Sequence, residues 1–423
     1  MHEQSKGVDV DALTAALDQR LAAADKALAR DYPGERPGRQ PVHTVYVPAD
    51  RYDARTVSSY GNQALMLLVK HGEHFLDLLG GDDDLMSRVL MKLEAEPVED
   101  LRIDFEDGYG ARPDDEEDGH VHAAVEALTT SIAEGTAPPY SGIRFKSLER
   151  ATRARGVRTL VRFVEGMAAR GELPDGFVVT LPKVTSVDQV EAMVHVASTL
   201  EGSLGPGEWR LGFEIQVETP QSILGPEGTA LVARMIGAAD GRCTALHYGT
   251  YDYSAYCGIA AGDQSLEHPV ADHAKAVMQA AAAGTGVRLS DGSTNVLPAG
   301  DNLVPGWELH HRLVGRALHR GFYQGWDLHP AQLPTRFAAT FGFYRNGFAD
   351  AADRLGAWSR QARPAEGASG PVADEPATAR ALADFLLRGI DCGALSSSET
   401  QEATGLDDHE LARLAHRPRQ DGG

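Results

Sequence analysis

The sequence predicts a (β/α)8 TIM barrel with an N-terminal helical extension and a small helical C-terminal appendage. Three observations carry this. Short apolar runs recur roughly every 30–40 residues, eight in all, over residues 44–328. Between them the pattern changes to helical periodicity, and alternating strands and helices argue for a parallel α/β fold. Acidic or basic side chains stand just past the ends of the runs, which is how βα-loops furnish the active-site rim of a barrel.

Residues 8–31, rich in Ala and Leu, read as an amphipathic helix, and Tyr32–Pro41 as a Pro/Gly/Arg linker. Thr44–Val47 is the first strand and Ala64–Val69 a helix segment. Strands follow near 101–106, 142–145, 177–181, 211–217, 244–248, 286–289 and 322–328, with helical patterns including 187–200, 228–239, 270–283 and 308–319. The charge run Asp114–Asp118 reads as a solvated part of the second βα-loop. After an Ala/Pro/Gly/Glu linker at 362–371, residues 377–388 and 408–415 look helical, and 417–423 read as a disordered end. The expected division is residues 1–41 for extension and linker, 42–348 for the catalytic barrel, and 349–423 for the appendage.

Composition narrows the function. The 423 residues carry 61 acidic and 40 basic side chains, a net charge of −21, which speaks against a nucleic-acid partner. No apolar run approaches a membrane span, and no signal peptide is visible, so a cytoplasmic protein is expected. Three widely spaced cysteines form neither a disulfide framework nor a zinc cluster.

The rim carries the chemistry. Glu218 and Asp252 follow neighbouring strands, so their carboxylates could converge on one cation; Mg²⁺ (or Mn²⁺) accepts one or two carboxylates and leaves positions for water and substrate. The alternative is that Glu218 caps a helix and Asp252 bonds a loop. Arg144 ends the third strand, suited to a substrate carboxylate or an enolate oxygen, or to an ion pair with Asp104 or Glu106. Asp104, Glu106 and Asp107 form a dense acidic group that calls for a cation, an arginine or a shared proton. Lys183 and Lys146, two of seven lysines, raise Schiff-base chemistry. His329 could be a base or a packed histidine; His247 and Asp291 read as structural. No phosphate-binding glycine motif is present.

Together these segments resemble the citrate lyase β-subunit-like branch of the HpcH/HpaI aldolase/citrate lyase family, within the phosphoenolpyruvate/pyruvate barrels. The resemblance rests on Val45-Tyr46-Val47-Pro48-Ala49, Ile103-Asp104-Phe105-Glu106-Asp107-Gly108, Ile143-Arg144 and Leu181-Pro182-Lys183-Val184. It continues through Val217-Glu218-Thr219, Tyr248-Gly249-Thr250-Tyr251-Asp252 and His329-Pro330-Ala331-Gln332.

The resemblance implies an Mg²⁺-dependent carbon–carbon lyase or aldolase acting through an enolate on a small hydroxy- or keto-carboxylic acid. It places the metal on Glu218 and Asp252 and substrate on Arg144, with Lys183 and His329 beside it. Asp104, Glu106 and Asp107 would act through metal-bound water, and Asp374 would be the acid/base. It also implies a homo-oligomer, a trimer or hexamer. Whether the substrate is a CoA thioester stays open, because His43-Thr44, Lys146 and Trp326 depart from the family pattern. The alternatives are a Schiff-base aldolase using Lys183 or Lys146, a malate-synthase-like Claisen condensation, and a non-catalytic ligand-binding barrel.

Overall fold

The structure is a computed structural model that describes residues 8–171, 173–205, 209–362 and 375–417. Eight parallel strands form the barrel: β1 (His43–Pro48), β2 (Asp100–Asp104), β3 (Tyr140–Arg144), β4 (Phe177–Leu181), β5 (Gly212–Val217), β6 (Cys243–Tyr248), β7 (Arg288–Ser290) and β8 (Gly325–Asp327). From β1 to β7 each strand pairs with the next in sequence, and β1 also pairs with β8. A parallel bridge between Ser290 and Gln324, with Asp291 N–H donating to Gln324 O (2.8 Å), closes the ring. Valine, isoleucine, leucine and phenylalanine of the strands bury their outward faces against the helices.

The helices are α1 (Val10–Asp31), α2 (Thr56–Leu78), α3 (Asp83–Ala95), α4 (Asp114–Ala133), α5 (Arg153–Ala168), α6 (Val187–Leu204), α7 (Pro220–Ile223), α8 (Leu231–Ala238), α9 (Thr250–Tyr256), α10 (Pro269–Ala282), α11 (Leu303–His319), α12 (Leu333–Ala362), α13 (Pro376–Asp391), α14 (Ser397–Thr404) and α15 (Asp408–Leu414). None is long and apolar enough to cross a membrane. Helix α1 buries none of its residues. The expected boundary at 348 falls inside α12, which runs unbroken from the barrel into the appendage. There Phe343 and Tyr344 pack on Phe385 of α13.

One expectation is corrected. Residues 114–118 are not a solvated loop but the first turn of α4, where acidic side chains complement the helix dipole. Glu117 is buried against Lys146 Nζ (2.7 Å) and Thr159, while Asp118 pairs with Arg155 and Arg158 of α5.

The barrel interior is unusual. Such interiors are ordinarily filled by branched apolar side chains; here alternate residues pointing inward are charged or polar. On β2 these are Asp100, Arg102 and Asp104, and on β5 Glu214 and Gln216, with Glu218 continuing the same alternation just beyond the strand. On β3, Gly142 leaves room for this: a Cβ there would lie 1.6 Å from the Val178 carbonyl oxygen, so β3 and β4 approach only because the side chain is missing.

Candidate active site

The C-terminal rim opens into a cavity of about 1010 Å³. Register places Asp104 opposite Arg144 across β2 and β3. Arg144 donates from Nε to Asp104 Oδ1 and from Nη2 to Asp104 Oδ2, both at 2.7 Å, a bidentate pair. Its Nη1 lies 3.4 Å from Gln216 Oε1 and 3.4 Å from Glu106 Oε2, and the guanidinium stacks over Tyr46 at 4.9 Å. The ion-pair reading of Arg144 holds, with Asp104 on one edge, and the residue also lines the cavity. Although burial pushes Arg144 down, the Asp104 carboxylate more than offsets it and raises its pKa.

Beside this pair lies an acidic cluster. Glu218 is wholly buried; it accepts from Lys183 N–H (2.6 Å) and from the Gln216 amide. Burial raises it to about 8, with the charges of Glu106 and Asp252 adding to the effect. Asp252 sits in the first turn of α9 and is also raised, mainly by burial. Gly249 lets the β6 loop close over this point, since a Cβ there would meet Glu218 Cβ at 2.4 Å. Lys183 Nζ reaches Glu106 (2.6 Å) and Asp107 (2.7 Å) and lies 3.9 Å from Asp252. Burial opposes its charge, but Glu218 and Glu106 raise its pKa well above the usual lysine value. Its φ of 53° is a left-handed conformation that costs energy outside glycine, and it turns both the N–H and the ammonium into the site.

Five carboxylates (Asp104, Glu106, Asp107, Glu218, Asp252) thus face two cations, Arg144 and Lys183. Among the described residues no three His, Cys, Asp or Glu side chains hold a metal by themselves. A buried carboxylate with a second beside it and an acidic surplus fits a divalent cation that keeps water and substrate as further ligands. The residues fit Mg²⁺.

His329 lines the cavity, and its Nδ1 accepts from Ala331 N–H (3.1 Å), capping a short turn. Burial lowers its pKa, leaving Nε2–H as the free polar edge of the neutral ring. Lys146 does not line the cavity; its ammonium binds Phe105 O and Glu117 (both 2.7 Å). His247 and Asp291 are buried below the rim, His247 accepting from Trp326 Nε1 (3.0 Å) and Asp291 paired with Lys275 (3.0 Å). Asp374 lies outside the described residues. Not singled out from sequence were Tyr46 and Gln216, and Arg51 and Arg55 at the mouth of the cavity. Gln216 could have been found as the residue two before Glu218 on the same strand face.

A family model described as Domain of unknown function (DUF6986) matches residues 21–419. The chain belongs to this family. No curated protein matches the sequence. Among solved structures, the DUF6986 chain is similar to a citrate lyase from Burkholderia xenovorans LB400 (18% identity, 87% of this chain and 97% of that one, TM-score 0.59). It is also similar to a malate synthase from Haloferax volcanii (15% identity, 89% of each chain, TM-score 0.50). The protein CitE from Mycobacterium tuberculosis, in complex with magnesium, acetoacetate and coenzyme A, is 20% identical over 84% of this chain and 98% of that one (TM-score 0.48). The barrel fold is thus shared with a citrate lyase and a malate synthase structure.

Proposed function

We propose that this protein is an Mg²⁺-dependent carbon–carbon lyase or aldolase acting on a small hydroxy- or keto-carboxylic acid. The observation that carries the proposal is the buried Glu218 beside Asp252, in a cluster with more negative than positive charge, at the floor of an open cavity. Glu218 and Asp252 would hold the ion, whose chemistry when bound is Lewis-acid polarisation of the carbonyl next to the bond that breaks or forms.

The chain's own residues supply the rest. Arg144, fixed on one edge by Asp104 and stacked on Tyr46, offers Nη1 to a substrate carboxylate or to the developing enolate oxygen. Gln216 joins Arg144 to Glu218, so both keep one relative orientation. Lys183 neutralises Glu106 and Asp107 and limits the repulsion that an anionic substrate meets. His329 can donate from Nε2, and Asp374 is retained as the acid/base. The tilted stack of Tyr46 and Trp326, with ring centroids 4.7 Å apart, forms an aromatic wall that shields the reacting carbons from water.

The same constellation suits a Claisen condensation, a reading favoured by the fold shared with malate synthase. Schiff-base chemistry is disfavoured: Lys183 is held protonated by two carboxylates, and Lys146 is turned away from the cavity.

The test is proton NMR in D₂O of methyl exchange in pyruvate and in acetyl-CoA, with and without Mg²⁺. Exchange that requires both metal and Glu218 is expected, and the compound that exchanges identifies the substrate class. Exchange that persists without metal, or borohydride trapping of a keto acid on Lys183, would overturn the proposal.

A further inference from the structure

Helix α1 stands off the closed end of the barrel. Its root is fastened: Gly34 N–H donates to Gly284 O (2.9 Å), and Arg36 donates to the carbonyls of Gly241 (3.0 Å) and Cys243 (2.7 Å). Its start is capped by Asp9, which accepts from Ala12 N–H (3.0 Å). Between these points 22 residues rise about 33 Å, and none of them is buried. Helices in proteins draw most of their stability from a packed apolar face, and the rest of this chain buries none of α1.

The helix nevertheless has such a face. Val10, Leu13, Leu17, Leu21, Ala24 and Leu28 follow one another at steps of three or four residues and form a single stripe along its length. The valine and the four leucines are each 47% to 68% exposed. In heptad terms, Thr14, Leu21 and Leu28 occupy one core position, and Val10, Leu17 and Ala24 the other. Thr14 is compatible with burial there, because its hydroxyl already donates to Val10 O (2.8 Å).

The two edges of the stripe differ in charge. Asp11, Asp18 and Asp25 recur every seventh residue along one edge, and Arg20 stands on the other, one heptad beyond Leu13. Among the described residues none of these four charges has an ion-pair partner. In a parallel pair of such helices opposite edges meet, which sets Arg20 of each copy against Asp25 of the other. In an antiparallel pair like edges meet, so Asp18 would face Asp18 and Arg20 would face Arg20, which is repulsive. A second copy of α1 thus matches the apolar stripe and, laid in parallel, its edges as well. We infer that two chains associate through α1 as a short parallel coiled coil, with Leu17, Leu21 and Leu28 in its seam. The pairing joins two barrels through their closed ends and leaves the rim cavity of each open.

The test is sedimentation velocity of the full chain over a series of micromolar concentrations. Wild type is expected to show a higher mass than Leu17→Asp/Leu21→Asp at the same concentration, the dissociation constant of the variant being raised about 100-fold or more. Because α1 buries none of its residues in its own chain, the barrel of that variant should melt as wild type does. Arg20→Asp should weaken the pair about threefold to tenfold, and Arg20→Asp/Asp25→Arg should restore it. Direction is read from Val10→Cys combined with Cys257→Ser, which removes the exposed cysteine. Mild oxidation should link two copies through position 10, and adding Leu17→Asp/Leu21→Asp should abolish the link. Equal mass for wild type and Leu17→Asp/Leu21→Asp would overturn the proposal. So would covalent pairing of Val10→Cys with Leu28→Cys in preference to either with itself.

Discussion

Two charged layers sit one above the other inside this barrel, the lower on the strands themselves and the upper at and just beyond their C-terminal ends. In the lower layer, Arg102 is matched by Asp100 and Glu214, Thr180 and Thr44 supply further donors, and His247 lies 3.1 Å from Glu214. In the upper layer, Arg144 pairs with Asp104 and lies 3.4 Å from Glu106, while Glu106, Asp107, Glu218 and Asp252 otherwise share only Lys183, which leaves a surplus of negative charge. The contrast separates structure from function. A polar network whose members satisfy one another has no vacancy for a ligand, whereas one that is out of balance is completed by something from outside.

The comparison can be broken at its strongest point. Glu218→Gln removes the buried carboxylate and should cut metal-dependent exchange on the order of 10³-fold, with loss of Mg²⁺ binding by titration and little loss of stability. Arg102→Met is the converse: it strands Glu214 and Asp100 and should cost about 3–5 kcal/mol in urea unfolding. Arg144→Lys, which keeps charge but not the bidentate fork, should lower turnover about 10²-fold with a smaller shift in the urea midpoint. If Arg102→Met impaired catalysis and spared stability, the division between the layers would fail.

A pH series sharpens the contrast. In the metal-free protein Glu218 is raised from 4.5 to about 8, so the folded state holds a proton there that the unfolded chain has released. Folded molecules bind more protons between these values, and this group's contribution to stability is therefore lost as pH rises through that window. The melting-temperature advantage of Glu218→Gln over wild type should widen from pH 5 to pH 8 without metal, and Mg²⁺ should narrow it. The smallest effect is expected for Trp326→Phe. It gives up one hydrogen bond to His247 Nδ1 and should cost about 1 kcal/mol, read from the same unfolding curves.

Much of this was legible in the sequence, for local reasons. All eight strands lie where apolar runs end in polar residues, and Asp104, Glu106, Asp107, Arg144, Lys183, Glu218, Asp252 and His329 all come to the C-terminal rim, where strand alternation and loop position put them. What was missed depends on tertiary packing. The run 114–118 is polar in either a loop or a helix start, and only α5's arginines decide the matter. Arg51 and Arg55 reach the cavity from the loop before α2, which no periodicity announces. Helix α3 was not anticipated, and Lys146 looked like a rim residue because the buried Glu117 that captures it lies on another element.

Gly142 gives the site a hidden dependence. Because a Cβ there would strike the backbone of β4, even alanine would force β3 and β4 apart two residues before Arg144. For heredity, this makes an inert position behave like an active-site residue. A change of one methyl group, at a residue that does not line the cavity, would abolish the proposed activity while every chemical group in the cavity stayed intact.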